Sequence, residues 1–310
     1  MHNVLVCVDC RMPLNRVNDE CRCGSCGASY PVRDDIADFA RGTYYDSFDP
    51  SRDTLTEEHL RGLNLEVEGS VRRIDDFCIP LVKRVAPTAR RVLDAGCGNA
   101  VSVDVLHRAG FEAWGNDLSE LRKYQWRERE HRENLVVASA LQLPFSSGYF
   151  DIVISSGVVE HIGSAETPAP YYSVRPLPDQ RSLRIEYLTE LGRVVIPGGH
   201  IFVDCPNGAF PIDFWHGNSP GSPRFHSVRE HFLPSFRELR TLAAIALPGA
   251  EVRAHSPRRR LQFKQSAGHI HGRVFRTPLS FAFRLMDTAG FRWLAQSAVN
   301  PFLVVEIVKP

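Results

Sequence analysis

The stretch Val92-Leu93-Asp94-Ala95-Gly96-Cys97-Gly98 constrains this chain more than any other. A short aliphatic run ends in an acid and two glycines, and a helical pattern begins at about Asn99. Glycine reaches backbone angles closed to other residues and has no Cβ to hold a ligand away. A glycine turn from a parallel strand into a helix therefore lets a nucleotide-like ligand touch the backbone at the carboxyl edge of a sheet. Alone, the pattern also fits an ordinary tight turn, so the residues that follow decide.

Glu112-Ala113-Trp114-Gly115-Asn116-Asp117 reads as a second strand ending in a carboxylate, about 20 residues beyond the glycines. An acid there can accept both hydroxyls of a ribose. The alternative for Asp117 is a helix N-cap, because Asp-Leu-Ser-Glu-Leu opens a helical pattern. Further on come Leu143-Pro144-Phe145, the buried run Tyr149–Ser156, the pair Glu160-His161 and the run Leu191–Val203 with its Pro197-Gly198-Gly199. Strands are expected near 90–95, 112–117, 135–139, 150–155, 199–204, 250–254 and 302–308, with helices between most of them. That alternation predicts an α/β fold, a mainly parallel seven-stranded sheet with helices on both faces. Ligands of such sheets bind at the carboxyl ends of the strands, where these motifs fall.

In this order the motifs resemble the class I S-adenosylmethionine-dependent methyltransferases of Rossmann-like fold, over roughly residues 85–208. The resemblance implies that Asp94, Gly96 and Gly98 line the methionine part of the cofactor. It implies also that Asp117 holds the ribose, that Leu118 beside it is among the cofactor-binding residues, that Ser139, Ala140 and Leu141 flank the adenine, and that Ser156 and Gly157 sit beside the sulfonium. Two positions depart from the family pattern: Ala100 stands where a third glycine is common, and Ser139 where an acid is common.

The eight cysteines are unevenly spread, with Cys7, Cys10, Cys21, Cys23 and Cys26 in the first 26 residues. Cys7-Val-Asp-Cys10 and Cys23-Gly-Ser-Cys26 are two CxxC knuckles separated by 12 residues, the spacing of a tetrahedral Zn²⁺ site. Cys21 could replace Cys23, but only Cys23 keeps the CxxC spacing. A segment of about 40 residues cannot bury enough core to fold alone, and a structural Zn²⁺ supplies roughly 10–16 kcal/mol of apparent binding energy. The segment with its following Ala28–Ile36 resembles Trm112-like zinc ribbons, a family that often serves methyltransferases as a partner-binding module. The expected organisation is a ribbon at 1–42, a mostly helical connector at 43–88 and the methyltransferase domain at 89–310.

A formal net charge of +1 gives no global field for nucleic acid or membrane. No apolar run reaches membrane-spanning length and no cleavable leader pattern stands at the N-terminus, so a cytoplasmic location is expected. Acceptor recognition is expected in two insertions, 163–178 and 206–235, since loops on a rigid scaffold concentrate recognition residues. Methyl transfer to a hydroxyl needs an aligned acceptor and a group to take its proton. His161, Asp213, His216 and His226 are the candidates, although a Glu-His pair also serves helix packing and lone histidines are commonly structural. Arg253–Arg276 carries seven basic residues and no acid, either as a solvated loop or as a contact for phosphate or nucleic acid.

Three readings follow. The first is O-methylation of a small molecule or glycan, because Asp204–Gly208 with Phe210–Asp213 looks like bacterial enzymes that modify sugars and metabolites. The second is an RNA or protein methyltransferase gripping its substrate through the ribbon. The third is an inactive partner-binding protein.

Overall fold

Each of the seven expected strands forms in the computed structural model, which describes residues 4–46, 48–49, 52–53, 57–167, 171–218, 223–260 and 270–310. The chain divides into two compact units, residues 1–154 with 190–200, and residues 155–189 with 201–310.

In the first unit, four short strands open the chain: β1 (Leu14–Val17), β2 (Glu20–Cys23), β3 (Ser29–Arg33) and β4 (Ile36–Asp38), each antiparallel to the next. Helix α1 (Glu57–Arg73) continues through a π-helical turn at Ile74–Cys78 into α2 (Ile79–Val85). Ile74, Phe77, Cys78, Leu81 and Val82, which recur at helical spacing, are buried. Then come β5 (Arg91–Ala95), α3 (Val101–Arg108), β6 (Glu112–Asp117), α4 (Glu120–Trp126), β7 (Leu135–Val137) and β8 (Phe150–Ser156). The strand order is β1-β2-β3-β4-β7-β6-β5-β8. From β4 onward the pairing is parallel. Val92, Leu93, Ile152 and Val153 are fully buried, as expected of strands covered on both faces.

The ribbon strands are not a separate appendage. Ala37 pairs with Val136 and Asp38 with Val137, so β4 extends the central sheet as a parallel neighbour of β7. Phe39 N–H also donates to the Val137 carbonyl at 2.7 Å, and edge amides of β7 are thereby satisfied by the same chain.

The second unit holds the hairpin β9 (Ser164–Thr167) and β10 (Ser173–Pro176), most of α5 (Gln180–Val194), and β11 (Val195–Pro206) from residue 201 on. The short pair β12 (Ile212–Asp213) and β13 (Arg224–Phe225) follows, then α6 (Phe236–Ala246), β14 (Glu251–Ala254), α7 (Ile270–Met286) and β15 (Phe302–Val308). Here the sheet order is β11-β15-β14, with β14 and β15 antiparallel, so the Rossmann-like sheet is mixed at this end. Positions 168–170 and 219–222 of the expected acceptor insertions, and 261–269 of the basic segment, lie outside the described residues. Among the described residues no helix is long and apolar enough to cross a membrane.

Gly115 explains a glycine in the middle of a strand. A Cβ there would lie 2.8 Å from Cys97 Sγ and 2.9 Å from Val103 Cγ2, so β6 passes directly beneath the turn leading into α3. Gly115→Ala should overpack this junction and cost about 1–3 kcal/mol. Urea unfolding of the two proteins measures it; equal midpoints would show that the junction has room.

Candidate functional site

The glycine turn is built by hydrogen bonds from β6. Gly96 and Cys97 N–H both donate to the Asn116 carbonyl at 2.9 Å, and Gly98 N–H donates to Asp117 Oδ2 at 2.9 Å. Gly96 (φ 80°), Gly98 (φ 55°) and Ala100 (φ 57°) all lie in the left-handed region. Ala100 thus adopts the conformation that makes glycine common at its position, at some steric cost. The fully buried Trp126 of α4 donates its indole N–H to the Gly98 carbonyl at 2.7 Å.

Asp117 is not a helix cap. Ser119 takes that role, its Oγ accepting from Arg122 N–H at 3.0 Å. Burial raises the Asp117 pKa, with the Gly98 amide and Arg122 working against it. Leu118 is the next residue, and its carbonyl accepts from Tyr45 N–H at 2.7 Å. Asp94, at the end of β5, is fully buried. Neither of its carboxylate oxygens has a hydrogen-bond partner among the described residues, and its ion-pair partner Arg73 stands 3.5 Å away. Such a carboxylate is costly unless a donor arrives. Ser139 closes a local turn: its Oγ accepts from Leu141 N–H at 3.2 Å and its carbonyl from Gln142 N–H at 3.0 Å. Ala140 and Leu141 lie within that turn, half-buried.

The four knuckle cysteines converge. Cys10 Sγ lies 3.4 Å from Cys23 Sγ and 3.5 Å from Cys26 Sγ, and Cys7 Sγ lies 3.6 Å from Cys26 Sγ. Sulfurs about 2.3 Å from a tetrahedral Zn²⁺ stand at about this separation, so the four are placed to hold one such ion. Cys23 N–H donates to the Ala28 carbonyl and Gly27 N–H to the Cys23 carbonyl, a turn that brings Cys23 and Cys26 together. Cys21 pairs with Tyr30 across β2 and β3 and does not join the cluster. Tyr30 OH contacts Cys7 Sγ at 3.1 Å and accepts from Arg41 at 3.1 Å. This outer layer orients the metal ligand.

In the second unit three of the four candidate catalytic residues come together. His161 Nδ1 is 2.6 Å from Glu166 Oε1, and Glu166 Oε2 accepts from Tyr172 OH at 2.8 Å. His216 Nδ1 is 3.0 Å from Oδ2 of the fully buried Asp213. Arg224 Nε also donates to that oxygen, at 3.1 Å, while Trp215 N–H donates to Asp213 Oδ1 at 2.9 Å. The two imidazoles meet edge-to-face at 5.2 Å between centroids, and Phe232 packs on both. Glu160 is buried beside them. Burial opposes charge on His161, but Glu166, Glu160 and Asp213 outweigh it and hold the pKa above the ordinary imidazole value. Burial raises Glu160, against the pull of His161 and His216. Asp213 is held low: burial opposes this, and His216 and Arg224 overcome it.

His226 does not join this group. Its N–H donates to the Pro211 carbonyl at 3.2 Å, and its buried Nε2 has no hydrogen-bond partner among the described residues. Ser156 Oγ donates to Asp204 Oδ1 at 2.5 Å, and Gly157 N–H donates to the Asp204 carbonyl at 2.9 Å. Arg260 chelates the Asp204 carboxylate with two bonds of 2.8 Å and donates to Ser156 Oγ at 2.7 Å.

Sequence reasoning missed Arg73, Glu166, Tyr172, Asp204 as a side chain, and Arg260 as its partner. The only signal for Glu166 is its place five residues beyond His161 in an expected acceptor loop.

Residues 93–203 match the family model described as a methyltransferase domain, and residues 1–35 match that of Trm112p-like proteins. A probable S-adenosylmethionine-dependent methyltransferase of Mycobacterium tuberculosis is 26% identical over 147 residues, 47% of this chain and 46% of that protein. One from Mycolicibacterium smegmatis is 25% identical over 138 residues, 44% of this chain and 45% of that protein. The chain therefore spans about half the length of these relatives. Among solved structures, phosphoethanolamine N-methyltransferase 2 of Haemonchus contortus is similar at 16% identity and TM-score 0.46, covering 84% of this chain and 61% of that one. A TehB-like S-adenosylmethionine-dependent methyltransferase of Corynebacterium glutamicum is similar at 16% identity and TM-score 0.45, covering 82% and 96%.

The Cys7→Ser/Cys26→Ser double variant should lose its zinc on metal analysis. Because β4 is paired with β7, zinc loss should also lower the melting temperature of the full chain by several degrees. Stoichiometric zinc in the variant would place the ligands elsewhere.

Proposed function

We propose that this chain, a methyltransferase domain joined to a Trm112p-like ribbon, methylates a hydroxyl oxygen of a small molecule or glycan, using S-adenosylmethionine. The observation that carries the cofactor assignment is the pair of acids flanking the glycine turn. Asp94 is fully buried, has Arg73 at 3.5 Å, and neither of its oxygens has a hydrogen-bond partner among the described residues, which suits the ammonium of the methionine part beside Gly96 and Gly98. Asp117 is relieved of capping by Ser119 and can accept from the ribose hydroxyls, with Leu118 beside it. Ser139, Ala140 and Leu141 would flank the adenine, and by the family resemblance Ser156 and Gly157 would sit beside the sulfonium.

The cofactor supplies a methyl group already activated on sulfur, so the residues need only orient the acceptor and take its proton. His161 and His216 suit this task. A carboxylate at Nδ1 requires the proton on that nitrogen, which leaves a lone pair on Nε2 of each neutral ring. Asp213 and Glu166 act as the orienting groups, and Arg224 and Tyr172 hold those carboxylates in turn. His226, outside the group, is assigned a supporting place in the 206–235 insertion.

The macromolecular alternative has less support, because three of the segment's seven basic residues already have acid partners within the chain. Arg253 pairs with Glu251, Arg258 with Asp287 and Arg260 with Asp204. In this reading the ribbon braces its own chain through β4, and a protein partner would meet its other strands. Four reduced thiols around one zinc suit a cytoplasmic setting.

Asp117→Ala should weaken S-adenosylmethionine binding by on the order of 1–3 kcal/mol, since the ribose hydroxyls lose their acceptor. Calorimetry giving one affinity for both proteins would remove Asp117 from the site. His216→Ala and Asp213→Asn should lower kcat on a glycan or small-molecule acceptor while leaving cofactor affinity within a few fold, the signature of lost acceptor alignment or proton removal. Full turnover in both variants would move the acceptor chemistry away from this cluster.

A further inference from the structure

Glu160 is 1% exposed, and its Oε2 has no hydrogen-bond partner among the described residues. The chain nevertheless invests in holding it there. The fully buried Arg184 donates to the Glu160 carbonyl at 3.1 Å and to the Phe232 carbonyl at 2.5 Å. Ser164 Oγ donates to the same Glu160 carbonyl at 2.9 Å. A buried carboxylate oxygen without a donor is expensive, and native structures retain one where something else compensates it.

What faces it is a pair of imidazoles. One ligand atom from each of Glu160, His161 and His216 lies within 4.8 Å of the other two. Behind each ring stands a carboxylate at Nδ1, Glu166 at 2.6 Å and Asp213 at 3.0 Å. A carboxylate at the far nitrogen is the arrangement that fixes the tautomer and raises the basicity of metal-bound histidines. Two imidazoles and one carboxylate form a donor set for zinc or a similar transition-metal ion, and poorly match magnesium or calcium, which prefer all-oxygen shells.

We propose that Glu160, His161 and His216 bind a divalent transition-metal cation, in a second site of different chemistry from the four-cysteine ribbon. Three protein ligands leave coordination positions open. Gly157 borders this space, since a Cβ on it would lie 3.9 Å from Glu160 Oε1. Oxygen donors such as the neighbouring hydroxyls of a sugar or a hydroxy acid can fill those positions, and a bound hydroxyl becomes more acidic. In the metal-bound state the cation takes the Nε2 lone pairs, and hydroxyl activation falls to it. That consequence rests on the methyl-transfer reading; the cation site itself does not.

Full-length protein with its ribbon zinc in place is titrated with Co²⁺, whose visible spectrum separates thiolate ligands from nitrogen and oxygen ligands. One further equivalent should bind, showing d–d bands without sulfur-to-cobalt charge transfer. Glu160→Gln and His216→Ala should abolish it. Glu166→Gln, which keeps all three ligands, should weaken it about 10–100-fold. Circular dichroism checks that the variants fold; should one not, the stoichiometry and spectrum of the wild type still decide. The proposal is overturned if wild type takes up no further equivalent. It fails too if the added Co²⁺ carries thiolate bands, or binds both folded ligand variants unchanged. Since no step of the assay involves methyl transfer, an inactive enzyme with a full Co²⁺ site would sink the methyl-transfer reading alone.

Discussion

Three backbone amides meeting the end of β6 organise the first unit. Gly96 and Cys97 share the Asn116 carbonyl, Gly98 takes the Asp117 carboxylate, and Trp126 returns a bond from α4 to the Gly98 carbonyl. These contacts tie β5, β6, α3 and α4 to one turn whose backbone enters the left-handed region at Gly96, Gly98 and Ala100. Gly115 lies beneath it because Cys97 and Val103 fill the space a side chain would need. The same bonds set Asp94 and Asp117 on either side of the turn. The fold junction and the proposed cofactor cradle thus share one set of hydrogen bonds, and a change that loosens one loosens the other.

The second unit is organised by charge in place of backbone. Glu160 and Asp213 are buried outright and Glu166 is partly shielded, opposed by His161, His216 and Arg224, while the buried Arg184 pairs with Glu238. Burying ions is costly, and removing one partner from such a group leaves another uncompensated. Arg224 shows how tightly the arrangement is drawn: it bonds Asp213 and Glu230 and lies over the rings of Tyr172 and Phe232. The network is maintained at this expense while Glu160 Oε2 has no hydrogen-bond donor among the described residues.

The ribbon shows a third economy. Its four cysteines gather around one point, and β4 spends its edge on β7. A module too small for a core of its own thus gains both a metal and a sheet to lean on. Tyr30 links the two, contacting Cys7 through its hydroxyl and packing its ring against Phe39, the residue after β4.

Local chemistry alone was enough to read the strand, glycine turn and helix around Asp94–Ala100, the carboxylate at the end of β6 and the two CxxC knuckles. Each depends on residues a few positions apart: apolar alternation, backbone freedom at glycine, and the short reach between paired cysteines. The seven strands were legible for the same reason. What only the tertiary structure decided involves partners distant along the chain. It assigned the α4 cap to Ser119 and so released Asp117, preferred Cys23 to Cys21, and joined β4 to β7. It brought His161 to His216 while leaving His226 apart, and it neutralised Arg260 with Asp204. None of these has a local signature, because whether two side chains meet across many residues depends on the path of the backbone between them, and packing of the whole unit sets that path.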